Sequence, residues 1–224
     1  MKMIPILAVL LFGQIAVSAD LPKVVLVGDS IRLSYATIVA KQLSGQAEVI
    51  SAKANGGDSR RVLQGLQEWA IRPQPDVVCF NCGIHDTKKF TANGSFQVGP
   101  QDYEKNLRQI VNRIRESTQA TVIFITTTPV LDAAAAAARR GRDYQLLHSS
   151  VQQYNGIAIR VMRELDVPMI DLYDRFNSGH PALDTLLGND GLHLTAAGQQ
   201  LAAEMISAGV RKELRKRTAA TDEP

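Results

Sequence analysis

Cysteine is almost missing from this chain: Cys79 and Cys82 are the only two in 224 residues, so no disulfide framework holds it together. In an extended strand their Cα atoms would stand ~10 Å apart, beyond the ~7 Å a disulfide tolerates, and buried free thiols are expected. A redox pair is disfavoured as well, because such C-x-x-C pairs open a helix and this one straddles a strand end. Charge of one sign is also lacking. Lys and Arg number 25 against 22 Asp and Glu, a formal net of +3, which gives no electrostatic footprint for nucleic acid. The basic run from Arg211 to Arg217 contains Glu213 and follows an apolar helical pattern, so it reads as a solvated helix end. Beyond residue 19 no apolar run approaches the ~20 residues that cross a bilayer.

The one long apolar run stands at the start. Lys2 precedes the apolar stretch Ile4 to Val17, and Val17-Ser18-Ala19 offers small residues at a cleavage site, the pattern of a signal peptide over residues 1–19. An uncleaved anchor is the alternative, but Pro5 and Gly13 interrupt a run already too short to span. The expectation is a secreted or periplasmic protein that begins at Asp20, with no stable membrane insertion and a net charge of +2 once Lys2 is removed from +3. Residues 20–224 are expected to form a single domain with a short polar tail.

Short runs rich in valine and isoleucine alternate with longer segments of helical period, the signature of an α/β fold with a parallel sheet and crossover helices. Five strands are predicted: Lys23–Gly28, Glu48–Ala52, Asp76–Asn81, Thr121–Thr127 and Pro168–Leu172. Helical stripes are carried by Val62, Leu63, Leu66 and Trp69, by Tyr103 to Ile114, and by Leu147 to Leu165. A last helix is predicted from about Thr195, a plausible N-cap. The alanine run Ala133–Ala138 with Arg139, Arg140 and Arg142 reads as an ordinary surface helix with solvated arginines, a lid being the alternative.

Ligands in open parallel sheets bind at the carboxyl ends of the strands. Catalytic residue types fall there in four loops: Gly28-Asp29-Ser30, Asn55-Gly56-Gly57-Asp58-Ser59, Gly83-Ile84-His85-Asp86 and Asp190-Gly191-Leu192-His193. Ser30, just after a strand and opening a helix, presents a hydroxyl beside its own N–H. His193 can act as its base, and Asp190 can hold the imidazole in the right tautomer. The N–H groups of Ser30 and Gly57 and the side chain of His85 are candidate donors to an oxyanion. Arg32 is expected to be solvated, and Asn55, Asn81, Asp29 and Asp86 to pin turns and caps.

With these blocks in this order, the chain resembles the GDSL (SGNH) hydrolase superfamily over nearly the whole of residues 20–224. Gly28-Asp29-Ser30 matches the nucleophile block, Gly57 the glycine block, Gly83 to Asp86 the G-x-N-D block and Asp190 to His193 the D-x-x-H block. The resemblance implies a flavodoxin-like three-layer α/β/α sandwich, ester or thioester hydrolysis, and no metal or organic cofactor. One position departs from it: His85 stands where the family's pattern has asparagine as third oxyanion donor. A neutral imidazole donates from one nitrogen and a protonated one from either, so His85 is expected to replace the amide; if it donates best when protonated, the pH profile of kcat/KM becomes bell-shaped.

Within that reading a short acyl group, such as acetyl, on a polar molecule such as an acetylated polysaccharide is preferred to a long lipid chain. No long apolar insertion suggests a lipid tunnel, although 5% aromatic residues offer little for stacking sugars. A lysophospholipase, a thioesterase or an O-acyltransferase on the same triad stays open. A metal-dependent hydrolase built from Asp29, His85, Asp86, Asp190 and His193 is the rival from another class.

Overall fold

The computed structural model describes residues 20–221. The expected leader, residues 1–19, lies outside them. The elements in chain order are β1 (Lys23–Val27), α1 (Ser30–Gln42), β2 (Glu48–Ser51), α2 (Ser59–Leu66) running into a π-helical turn (Gln67–Ile71), β3 (Val77–Phe80), β4 (Lys89–Phe90), α3 (Pro100–Ser117), β5 (Thr121–Ile125), α4 (Asp132–Ala138), β6 (Tyr144–Gln145), α5 (His148–Glu164), β7 (Met169–Ile170), α6 (Leu172–Asn177), α7 (Leu183–Leu186) and α8 (Ala196–Thr221).

The main sheet has five parallel strands in the order β2-β1-β3-β5-β7. Side chains alternate across it, as the pleat requires. Val24 and Leu26 of β1 join one core with Tyr35 and Val39 of α1 and Ala203 and Ile206 of α8. Val25 and Val27 join the other with Val62 of α2, Leu107 and Ile110 of α3 and Ala158 of α5. Two cores on the two faces of one sheet make the three-layer α/β/α sandwich. The strand order reverses between β1 and β3, and in open α/β sheets that switch point is where a crevice opens at the carboxyl ends.

The strands are shorter than predicted by one or two residues at an end. The final one shrinks to Met169–Ile170, since the Asp171 carboxylate caps α6 by accepting from the Asp174 N–H at 3.0 Å. Thr195 caps α8, its hydroxyl accepting from the Gly198 N–H at 3.2 Å. Cys79 and Cys82 are both buried and unbridged, and burial pushes the Cys79 thiol up to about 12. A two-stranded antiparallel ribbon of β4 and β6, pairing Phe90 with Tyr144, was not predicted.

Two expectations about arginines are corrected. Arg32 is not solvated: it is 2 % exposed, with its guanidinium spread over the carbonyls of Gly28, Ala52 and Ala54 and the Ser51 hydroxyl. In the basic run Lys212, Arg215 and Lys216 are exposed, as a solvated helix end requires, but Arg211 donates to the Gln42 carbonyl at 2.6 Å and Arg217 to the Gln119 carbonyl at 2.7 Å, so these two fasten α8 to the body.

Candidate active site

Ser30 opens α1 directly after the turn that leaves β1. The Asp29 carboxylate caps this helix, accepting from the Ile31 N–H at 2.9 Å, which leaves the Ser30 N–H among the free amides of the first turn. The Ser30 hydroxyl lies 3.0 Å from His193 Nε2, across a sequence separation of 163 residues. On the far side of the ring, Nδ1 is 2.5 Å from Asp190 Oδ2. A carboxylate only accepts, so Nδ1 carries the proton and Nε2 is left to accept from Ser30.

Asp190 is fixed as firmly as His193. Asp190 Oδ1 accepts from the N–H groups of Leu192 (3.1 Å) and His193 (2.9 Å), so one carboxylate orients both the ring and the loop that carries it. Burial by itself would raise the Asp190 carboxyl, but the hydrogen bonds from His193 and Leu192 outweigh it and hold it below its ordinary value. The loop turns at Gly191 with φ +66°, and a Cβ there would come within 2.6 Å of the Leu131 carbonyl. Leu131 in turn donates its N–H to the Gly191 carbonyl at 2.9 Å. Arg139, at the end of α4, donates to the Asp190 carbonyl at 3.0 Å and stands 3.9 Å from Asp190 Oδ2. The alanine helix is therefore a support of the His193 loop, and Arg139 is not a solvated residue.

His85 lies at the switch point after β3, lining the same recess as Ser30 and His193. Neither of its ring nitrogens has a hydrogen-bond partner among the described residues. Burial lowers its pKa below the ordinary imidazole value, with Lys88 and His193 adding to the effect and Asp29 and Asp58 opposing it. Its ring is held neutral, which runs against donation from an imidazolium. The Gly57 N–H, by contrast, already donates to Asn55 Oδ1 at 2.9 Å, in a turn with φ +59° at Gly57. Asp86 and Asn81 are structural, as expected. Asp86 accepts from the N–H and hydroxyl of Ser59, and Asn81 donates to the Ile125 carbonyl. The five residues of the metal-site alternative do not converge: among the described residues no three His, Cys, Asp or Glu side chains are placed to hold a metal ion.

The recess beside Ser30 is small, about 140 Å³, with Ile84, Leu146 and Leu192 as apolar walls. Sequence reasoning missed its other lining residues, Lys88, Tyr144 and Arg139. Lys88 left a trace two places after Asp86, and Arg139 left one in the lid alternative; Tyr144 arrives through the unforeseen ribbon. A polar recess of about 370 Å³ lies on the other side of His85, between Gly57 and Gln97. Larger hollows of about 490 and 760 Å³ lie at the opposite ends of the strands, around Pro22 and Leu214, and contain no nucleophile and base pair.

The model of the GDSL-like lipase/acylhydrolase family matches residues 26–201. A lipase/acylhydrolase from Enterococcus faecalis superposes with a TM-score of 0.71 at 22% identity, covering 86% of this chain and 97% of that one. An acetylxylan esterase from Geobacillus stearothermophilus gives 0.67 at 18% identity, covering 85% and 94%. Another acetyl xylan esterase gives 0.67 at 20%, covering 84% and 99%. No curated protein sequence matches the chain.

Proposed function

Because the chain belongs to the GDSL-like lipase/acylhydrolase family and is accordingly an ester-bond hydrolase, we propose that it is a secreted serine esterase that removes short acyl groups, acetyl above all, through Ser30, His193 and Asp190. The observation that carries this reading is the unbroken hydrogen-bond chain from the Ser30 hydroxyl through the His193 ring to the Asp190 carboxylate.

Ser30 Oγ attacks the ester carbonyl carbon as His193 Nε2 takes its proton, and Asp190 stabilises the imidazolium. The oxyanion accepts from the Ser30 N–H and the His85 ring; the Gly57 N–H joins them by sharing or exchanging its bond to Asn55. Collapse breaks the bond to the alcohol oxygen, which takes the proton from His193. Water then attacks the acyl-serine with His193 again as base, releasing the acid and restoring Ser30.

Neither recess beside His85, of about 140 and 370 Å³, is a long apolar channel, which supports a short acyl group over a lipid chain. Two fold neighbours that are acetylxylan esterases by name agree with an acetylated polysaccharide as substrate. The test is hydrolysis of p-nitrophenyl acetate by the chain from Asp20, beside Ser30→Ala and with a chelator. Activity lost in Ser30→Ala and kept under chelation is the expected result. Chelator-sensitive activity indifferent to Ser30 would sink the serine mechanism.

A further inference from the structure

The recess that holds Ser30 and His193 is walled by two cations, Lys88 and Arg139, and no carboxylate lines it. Lys88 has no carboxylate partner among the described residues; its ammonium stands over the Tyr144 ring, 5.0 Å from the centroid. Its backbone is fixed, because the Lys88 carbonyl accepts from the Gln97 N–H at 2.8 Å and the next residue enters the β4–β6 ribbon. The Arg139 guanidinium is fixed too, donating to the carbonyls of Ala135 and Asp190, with its side chain 12% exposed.

The nearby carboxylates do not cancel this field. Asp190 is shared between His193 and Arg139. Asp58, beyond His85, is held by Arg60, Gln97 and the Arg61 N–H. Asp29 is wholly buried under the helix it caps, and burial raises its pKa. Lys88 and Arg139 against Asp190, with His85 neutral, leave the recess positive, next to a partly desolvated ester site where a charge counts for more than in water.

Direction follows from the proton. His193 Nε2 delivers it to the leaving oxygen, so the alcohol part departs on the side of His193, where Leu192 and Arg139 stand. Resting on the serine-esterase reading above, we propose that the alcohol part of the natural ester carries an anionic group, a carboxylate or a sulfate, that pairs with Lys88 and Arg139. With the Tyr144 ring as an aromatic wall of the recess, an acyl ester of an acidic saccharide is the matching substrate.

The test compares three aryl acetates, 3-acetoxybenzoate, 3-acetoxybenzenesulfonate and the neutral methyl 3-acetoxybenzoate, on wild type, Lys88→Gln, Lys88→Arg and Ser30→Ala. The readout is the ratio of kcat/KM for each anionic ester to that for the neutral one. A general loss of folded enzyme cancels within each variant. Lys88→Gln is expected to lower the ratio about tenfold and Lys88→Arg to keep most of it, with 0.5 M salt eroding it in wild type. The larger of the two anionic ratios tells carboxylate from sulfate. A ratio indifferent to Lys88, with hydrolysis still dependent on Ser30, overturns this proposal alone. Absence of Ser30-dependent hydrolysis of all three esters overturns the esterase reading and this proposal with it.

Discussion

Arg139 donates to the carbonyl of Asp190 at 3.0 Å from the end of a helix made almost wholly of alanine. This contact, with the mutual pairing of Leu131 and Gly191, holds the loop that carries Asp190 and His193. Misplacing a catalytic group by about 1 Å can cost ~10²-fold. Arg139→Gln is therefore expected to lower kcat on p-nitrophenyl acetate roughly tenfold while moving KM little. Arg139→Lys should recover part of the loss. Full kcat in Arg139→Gln would remove this residue from the support of the triad.

The parallel sheet and the four loops at its carboxyl ends were legible because the inner strands are short, nearly continuous apolar runs covered on both faces, and because Ser30, Asp190 and His193 sit in loops of marked composition. What was not legible depends on partners distant in sequence. Arg32 in a first helical turn looks solvated until the β2 loop, about twenty residues on, folds its carbonyls over it. Arg139 looks solvated until a loop some fifty residues on arrives beside it. The ribbon of β4 and β6 has two residues in each strand, too few for any period to show.

Burial lowers the His85 pKa and favours the neutral ring, so the proposed bond to the oxyanion would come from a single nitrogen. Removing one oxyanion donor costs ~10²–10³ in rate, and His85→Ala should lose kcat on that scale. His85→Asn, which restores an amide donor, should stay within about tenfold of wild type. A neutral donor adds no descending limb to the pH dependence of kcat/KM above neutrality. A bell that collapsed to a simple rise in His85→Asn would instead establish the imidazolium as the donor.

Arg32 joins the turn before Ser30 to the β2 loop through the Gly28, Ala52 and Ala54 carbonyls, with bonds of 2.9, 2.6 and 2.6 Å. Lysine keeps the charge but loses the planar fork, leaving the part-buried Ala52 and Ala54 carbonyls short of donors while Gly28 keeps the Gly56 N–H. Arg32→Lys is expected to cost about 2–4 kcal/mol of stability, read from urea unfolding. It should also lower kcat, since Gly28 lies two residues before Ser30, the proposed nucleophile. A cost below about 0.5 kcal/mol would show that water or rearranged backbone serves these carbonyls equally well.

Asp86 lies buried behind His85 with its carboxyl raised to about 7. Burial is the largest cause, Asp58 adds to it, and the hydrogen bonds from Ser59 oppose it. The folded pKa thus stands above the ordinary 3.8, so between the two values the folded chain holds a proton that the unfolded chain has released. The stability this contributes is complete below about pH 4 and is lost as the pH rises through about 7. Asp86→Asn abolishes that titration. Whatever its absolute stability, the variant should gain on wild type between pH 5 and 8, by at most about 1.4 kcal/mol per pH unit for one proton. Urea unfolding of both proteins across that range gives the slope difference directly. Parallel pH dependences would mean that the hydrogen bonds from Ser59 outweigh burial and that the carboxylate is already ionised in the acid range.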